Sequence, residues 1–323
     1  MSELDLIERI TESAIRRDGT LLGVGDDAAV LAGAPGIVVT TDVLVEDVHF
    51  RRATTGLRDL GHKALAVNLS DLAAMGADPR AAVVGLVVPP SGLAAVDHDA
   101  LRAGMEDLAA THGVTIAGGD LTSGPALVLA VTAVGVLDDP ASAVTRAGAV
   151  PGDVVAVTGA LGGAAAGLAL LEGRAAPPDP DIGAALVAAH RRPTPRIDFG
   201  RTLRRLGAHA MLDCSDGLLL DTGRMASASG VRIEIALDAV PLAPGVARIA
   251  LALGAEADLF AATGGDDYEL IVAMAPADVP RARAEGVVVH PIGHVREGTP
   301  SVALTRKGDA VAAPARGGWL HHV

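Results

Sequence analysis

The chain has few of the residues that would point to several common kinds of site. Its only cysteine is Cys214, which rules out an intrachain disulfide and a paired-cysteine zinc site. Its only lysines are Lys63 and Lys307, and no G-x-x-x-x-G-K-[ST] segment occurs, so a Walker-type phosphate loop is excluded. The motifs H-E-x-x-H and G-x-S-x-G are also absent. Aromatic residues make up 2% of the chain, so its core must consist mainly of alanine, valine and leucine.

Length and composition predict an α/β protein of the α+β type with two domains. A chain of 323 residues is long for one hydrophobic core, and helical and strand patterns alternate along it. The polar stretch around residues 138–153 predicts a boundary between domains at 1–139 and 140–323. A net charge of -13 argues against nucleic acid or an anionic membrane as a partner. The uncharged run 154–171 is interrupted by glycines and predicts a strand, a turn and a helix, so we expect a cytoplasmic protein.

Acidic residues recur beside small residues at the ends of apolar runs. One such aspartate is commonly a turn residue or a helix N-cap, but six segments are harder to explain in that way. Carboxylates that gather repel one another unless cations neutralise them, and Mg²⁺ is the natural candidate for oxygen ligands. The segments are Gly25–Asp27, Thr40–Asp42, Asn68–Asp71, Gly118–Asp120, Asp213–Gly217 and Gly264–Asp267.

Several of these residues have two interpretations. Asp71 lies inside an apolar helical run, so it either faces solvent or is held by a cation. Thr41 and Asp42 fall on opposite faces of a continuous strand, so both could be ligands only if the strand ends there. Asp213 and Asp216 either cap the helix that follows or bind a cation.

Three other segments also leave alternatives open. Cys214 is either a small residue before a helix or a nucleophile without an evident base. The turn Gly159–Gly163 either packs a helix closely or contacts a phosphate. His49 and Trp319 are either structural residues or ligand contacts.

The local patterns also predict individual elements. We expect helices over 2–15, 57–75 and 97–112, and separate strands over 37–41 and 45–50. The segment Gly118–Asp120 is predicted to be a turn between two strands.

The ordered set of acidic segments resembles the thiamine-monophosphate kinase family, whose superfamily includes aminoimidazole ribonucleotide synthetase and selenophosphate synthetase. The stretches that carry this resemblance span nearly the whole chain. They are Glu3–Ile7, Gly25–Ala29, Thr40–Asp42 with Val48–Phe50, Asn68–Ala77, Gly118–Asp120, Gly148–Asp153, Asp213–Gly217 and Gly264–Leu270.

The resemblance implies two α/β domains, a homodimer in which the N-terminal sheets form a barrel-like interface, and ATP with several Mg²⁺ ions as cofactors. The Mg²⁺ ligands it implies are Asp26, Thr40, Thr41, Asp42, Asp71, Asp120, Asp213 and Asp216. The catalytic residues it implies are Asp42, Asp71, Asp120 and Asp216, and the nucleotide contacts are Gly119, Asp120, Arg146 and Ser215. The contacts to thiamine monophosphate are His49, Asp266 and Trp319, although the family often has Glu in place of Asp266 and another aromatic in place of Trp319.

The implied reaction moves the γ-phosphoryl group of ATP onto thiamine monophosphate. Its nucleophile is a phosphate oxygen with a second pKa of about 6, so no general base is required. One alternative is a sister ATP-dependent synthetase of the same superfamily. Another is a non-catalytic divalent-cation binding protein, although EF-hand spacing is absent.

Overall fold

Two mixed β-sheets flanked by helices form the molecule. The computed structural model describes residues 20–22, 26–33, 35–91 and 93–319, so the helix predicted over 2–15 lies outside the described residues. The strands are β1 Thr20–Leu22, β2 Ala29–Leu31, β3 Gly36–Val45, β4 Asp78–Val88, β5 Thr115–Ser123, β6 Val128–Leu137, β7 Val154–Val157, β8 Ala210–Asp213, β9 Arg232–Ala236, β10 Leu270–Met274, β11 His290–Arg296, β12 Ser301–Arg306 and β13 Asp309–Val311. The helices are α1 Leu57–Ala74, α2 Ala95–His112, α3 Gly163–Leu171, α4 Pro180–Arg191, α5 Ile197–Arg205, α6 Leu218–Ser229, α7 Val246–Ala252, α8 Ala257–Thr263 and α9 Asp278–Ala284, with 3₁₀ turns at Pro140–Ser142 and Leu237–Ala239.

The two sheets confirm the predicted two-domain α/β architecture. The first has the order β1-β2-β3-β6-β4-β5, and the second has the order β13-β12-β9-β11-β7-β10-β8. Strands β7, β8 and β10 are buried along their whole length, as expected for strands covered on both faces. Within the described ranges the first sheet does not close on itself, so a barrel is not confirmed in the single chain.

Helix α1 lies between the two sheets. It packs on β3, β6 and β4 of the first sheet and on β8 of the second. Of its 18 residues, 14 are buried, which explains why its sequence is apolar on nearly every side. The helix begins and ends close to the predicted positions, with Met75 as its C-cap and Gly76 in a left-handed conformation.

Two predicted breaks in the first sheet are wrong. Strand β3 is continuous and pairs with β6 from Gly36 opposite Leu137 to Val45 opposite Val128, while residues 46–50 form a turn. The predicted turn Gly118–Asp120 is instead the middle of β5, which pairs in parallel with β4. Its glycines allow close packing, because a Cβ on Gly119 would come within 1.9 Å of the Val84 carbonyl oxygen.

The outer face of the first sheet carries several exposed apolar residues and is not covered by any described helix. Ile37, Val43 and Val83 lie on this face, and these residues are 38%, 44% and 44% exposed. A solvated sheet face ordinarily alternates to polar residues, so this face is unusual for a single chain. None of the helices in the described ranges is long and apolar enough to cross a membrane.

The contact between α1 and α2 generates a test of the packing. A Cβ on Gly104 would lie 1.8 Å from the Arg58 carbonyl oxygen, so the two backbones must separate to admit it. We expect Gly104→Ala to lower the free energy of unfolding by about 2 kcal/mol or more, measured by urea denaturation. The matched control is Gly223→Ala in α6, where the nearest atom is 4.0 Å away and alanine should stabilise by about 1 kcal/mol. Equal effects of the two substitutions would contradict the close approach.

Candidate active site

Three carboxylates from distant parts of the chain meet beside the C-terminal end of α1. One oxygen from each of Asp27, Asp71 and Asp213 lies within 4.8 Å of the others. Asp71 belongs to α1, Asp213 ends β8, and Asp27 precedes β2. The cluster therefore joins the first sheet, the second sheet and the helix between them.

Hydroxyl groups hold two of these carboxylates in place. The Thr40 hydroxyl donates to Asp71 Oδ2 over 2.5 Å, and the Ser70 hydroxyl donates to Asp213 Oδ2 over 2.6 Å. Asn68 accepts a hydrogen bond from the Asp42 backbone N–H over 3.0 Å and so fixes β3 on the helix. Asn68 and Ser70 are completely buried, which makes this polar layer part of the core.

Burial and mutual repulsion disfavour ionisation of these carboxyl groups. Burial raises the pKa of Asp71 well above its ordinary value, and the charges of Asp213 and Asp42 raise it further. Burial likewise raises the pKa of Asp213, with Asp27 as the next contributor. Burial raises the pKa of Asp42 to about 6, aided by Asp216 and Asp27. Added positive charge is therefore needed before all of these groups ionise together.

Arg146 supplies part of that positive charge. Its Nη2 and Nε donate to Asp27 Oδ1 over 2.5 and 3.2 Å. Its backbone N–H donates to the carboxylate of Asp26 over 3.2 Å. Burial and the charge of Asp27 raise the pKa of Asp26 to about 6, despite these contacts. Asp26 thus lies behind the cluster, and Asp27 projects into it.

The donor set fits Mg²⁺. Asp27 Oδ2 is buried and has no hydrogen-bond partner among the described residues, as expected of an oxygen that awaits a cation. Oxygen ligands at about 2.0–2.1 Å from one Mg²⁺ lie up to about 4.2 Å apart, slightly closer than the 4.8 Å limit of this cluster. A small contraction would bring the three carboxylates around one ion.

A second carboxylate group lies at the start of α6. Asp216 pairs with Arg224 Nη2 over 2.6 Å, and its carbonyl oxygen accepts from the Trp319 N–H over 2.9 Å. The buried Asp221 accepts from the N–H groups of Asp216 and Gly217 over 3.0 and 3.1 Å. The first turn of α6 is therefore capped from within, and Asp216 is held by an arginine rather than by the triad.

The acceptor-contact residues implied by the resemblance lie around two other segments. Asp266 is 34% exposed and pairs with Lys63 Nζ over 2.8 Å. His49 follows β3 and its Nδ1 accepts from the Val45 N–H over 3.1 Å. Trp319 is 53% exposed, and its backbone N–H is bonded to the Asp213–Gly217 segment.

Two predicted metal ligands lie away from the triad in this chain. Because β3 continues past Thr41, that side chain points to the outer face, where its hydroxyl donates to the Val131 carbonyl oxygen over 3.0 Å. Asp120 is exposed in β5, three strands from β3, which corresponds to about 14 Å. Gly119 adjoins it and is exposed as well.

The structure resolves two of the open alternatives. Burial raises the pKa of the Cys214 thiol well above its ordinary value, and the residue is inaccessible, so a nucleophilic role is wrong. In the turn Gly159–Gly163, the Gly162 N–H donates to Asp267 Oδ2 over 2.8 Å. A Cβ on Gly159 would lie 2.3 Å from the Glu269 carboxylate, so this turn serves packing.

Sequence reasoning missed four residues of the site. Asp27 stands beside the predicted Asp26, and only the side-chain direction distinguishes them. Asp221 lies four residues after Gly217, a spacing typical of a side chain that caps its own helix, and Arg224 follows it by one turn. The position of Lys63 inside an apolar helical run is the one feature of the sequence that could have indicated a role for it.

Comparisons with known proteins agree with this fold. Residues 25–137 match the model of the AIR synthase related protein N-terminal domain, and residues 150–304 match the corresponding C-terminal domain. Thiamine-monophosphate kinase of Bacillus subtilis strain 168 is 34% identical over 329 residues, covering 99% of each chain. The same enzyme of Mycobacterium tuberculosis H37Rv is 40% identical over 273 residues, covering 84% of this chain and 80% of that one.

A solved structure of the same family has the same fold. AaThiL complexed with AMPPCP and TMP superposes with a TM-score of 0.84 at 30% identity, covering 99% of this chain and 97% of that chain. The chain belongs to the thiamine-monophosphate kinase family.

The raised pKa of Asp42 predicts a pH-dependent stability. Because the folded pKa of about 6 exceeds the unfolded value near 3.9, this group's contribution is fully present below about pH 4 and is lost as the pH rises through about 6. In EDTA, we expect Asp42→Asn to match the wild type near pH 4 and to be more stable by about 2 kcal/mol at pH 7.5. Chemical denaturation at both pH values measures the difference. The control is Asp309→Asn in the exposed strand β13, and an Asp42→Asn protein no more stable than wild type at pH 7.5 would refute the assignment.

Proposed function

We propose that this chain catalyses the ATP-dependent phosphorylation of thiamine monophosphate to thiamine diphosphate. The observation that carries the proposal is the triad of the buried Asp27 and Asp213 with the partly buried Asp71, which joins the two domains of a fold shared with AaThiL complexed with AMPPCP and TMP. An excess of buried carboxylates suits a reaction in which one polyanion approaches another, provided that cations lie between them.

The residues around the triad would bind Mg²⁺ and the phosphates of the nucleotide. Asp27, Asp42, Asp71, Asp213 and Asp216 would hold Mg²⁺, which neutralises phosphate charge when bound. Arg146, beside Asp27 and Asp26, is placed to contact a phosphate with its guanidinium group. Ser215 lies two residues after Asp213 and shortly before the start of α6, whose N-terminus favours an anion.

On the acceptor side, the attacking group is the phosphate of thiamine monophosphate. It is already largely dianionic near neutral pH, so the chain need only bind and orient it. Asp266, His49 and Trp319 are the proposed contacts, and an indole ring such as that of Trp319 can stack on an aromatic or cationic ring. The metal-ligand roles of Asp26, Thr40, Thr41 and Asp120 and the nucleotide contact of Gly119 remain proposals that rest on the resemblance.

The uncovered face of the first sheet supports a homodimer. An apolar sheet face that no described helix covers is a common interface between two copies of one chain. Pairing these faces would give the barrel-like interface that the resemblance implies. The matched segments 25–137 and 150–304 support the boundary at 139/140, and the proposed place of action is the cytoplasm.

The direct test of this function is product formation. We expect the purified protein to convert thiamine monophosphate and ATP into thiamine diphosphate and ADP with Mg²⁺, and to form no product in EDTA. Asp71→Asn should lower kcat by about 100-fold or more, because it removes a ligand from the triad. Asp309→Asn is the control and should retain wild-type turnover. ADP formed only with a ribonucleotide or selenide as acceptor would assign the chain to a sister enzyme.

The dimer proposal predicts a change of mass in solution. Wild type should have twice the chain mass of 32.3 kDa by light scattering, and Val43→Asp should reduce it to a monomer. The substitution adds a charge to the outer sheet face, where it would be buried between two copies. Leu251→Asp alters an equally apolar residue, 77% exposed on α7, and should leave the dimer intact. A monomeric wild-type protein would refute the proposed interface.

A further inference from the structure

Lys63 is a charged residue in the interior of the molecule. Its side chain is 3% exposed, although most lysines reach solvent. Its Nζ donates to Asp266 Oδ2 over 2.8 Å and to the His190 carbonyl oxygen over 3.2 Å. A buried ammonium group persists when it is paired and hydrogen-bonded, and these two partners lie 203 and 127 positions away along the chain.

The partner Asp266 has an unusual backbone conformation. Its φ is +61°, and Tyr268, two residues on, has a φ of +51°; both values are left-handed and uncommon for residues other than glycine. The Asp266 N–H donates to the Ser215 carbonyl oxygen over 2.7 Å. The Tyr268 hydroxyl donates to Asp266 Oδ1 over 3.1 Å. Strained conformations of this kind are kept only where the surroundings fix them.

The nearby histidine does not replace the lysine as a counter-charge. His190 Nδ1 lies 3.7 Å from Asp266 Oδ2, beyond hydrogen-bond distance, and it has no partner among the described residues. Burial, followed by the charge of Lys63, lowers the pKa of His190 to about 4, so this ring is neutral near pH 7. Within the described residues, Lys63 is therefore the cation that balances Asp266.

Lys63 also connects Asp266 to the carboxylate triad. It lies on the same helix as Asp71, eight residues earlier, which is about 12 Å along the axis of α1. Ser70, seven residues after Lys63 and on the same face, binds Asp213. One rigid helix thus contacts both the triad and the loop that carries Asp266.

We infer that Lys63 is a positioning residue that fixes Asp266, and with it the acceptor-binding loop, at a set distance from the carboxylate triad. This inference rests on the proposed function, because it takes Asp266 as a contact to thiamine monophosphate. In phosphoryl transfer, a small misplacement of the acceptor is costly, so the contact between helix and loop sets how well the acceptor binds.

The first test is a double-mutant cycle on the acceptor KM. We expect Lys63→Met to raise the KM for thiamine monophosphate about tenfold and to leave the KM for ATP within about twofold of wild type. In an Asp266→Asn background, Lys63→Met should have no further effect, because the lysine acts through Asp266. That double variant contains no unpaired buried charge, so the comparison survives if Lys63→Met alone folds poorly.

The matched control is Lys307→Met, which makes the same change at the chain's other lysine, an exposed residue. It should keep wild-type values of both KM. Additive effects of Lys63→Met and Asp266→Asn, or equal changes in the two KM values for Lys63→Met, would overturn the inference.

A second readout does not depend on catalysis. Tyr268 is the only tyrosine of the chain, so 3-fluorotyrosine labelling gives a single ¹⁹F resonance that reports on the Asp266 loop. We expect Lys63→Met to shift or broaden this resonance and Lys307→Met to leave it unchanged. An unchanged resonance in Lys63→Met would overturn the positioning role, whereas a wild-type enzyme inactive on thiamine monophosphate would overturn the proposed function alone.

Discussion

The burial of helix α1 between two sheets is the constraint on which the rest of the molecule depends. A helix with 14 of 18 residues buried would ordinarily be apolar throughout, yet this one carries Lys63, Asn68, Ser70 and Asp71. Each buried polar group must find a partner or destabilise the fold by several kcal/mol. The partners are Asp266, the Asp42 backbone, Asp213 and Thr40, and these residues are the candidate site. The contacts that pair the polar groups of α1 therefore also hold the candidate site together.

The triad adds a second constraint, which is electrostatic. Three carboxylates within 4.8 Å in a buried setting repel one another, and the fold tolerates them by keeping some protonated or by pairing them with cations. Arg146 and Arg224 balance Asp27 and Asp216 from the two edges of the group. The arginines leave the centre undercompensated, and a hard cation has the charge and ligand preference to complete it. The chain's net charge of -13 adds to this demand for cations.

The sequence predicted features that depend on neighbouring residues. It did not predict features that depend on the direction of a side chain or on contacts between residues far apart in the chain. Asp71 stands out in the sequence because an unpaired carboxylate is unfavourable inside an apolar helix. Naming Asp26 left out its neighbour Asp27, because two adjacent aspartates are equivalent in the sequence until the backbone fixes which one points into the triad. Thr41 could be a ligand together with Asp42 only if the strand ended there, but β3 is paired without interruption over ten residues. The segment Gly118–Asp120 reads as a turn, yet its glycines serve the close approach of β4 and β5. Lys63 could not be assigned a role, because its partner lies 203 residues away.

Burial and mutual repulsion keep some of these carboxyl groups protonated until a cation binds among them. Calorimetric titration of the metal-free protein with Mg²⁺ at pH 6, repeated in two buffers with different heats of ionisation, measures the protons released on binding. We expect release of about one proton or more for each protein chain, since Asp42, Asp71 and Asp213 all have raised pKa values. Mg²⁺ binding with the same heat in both buffers, and so without proton release, would contradict it.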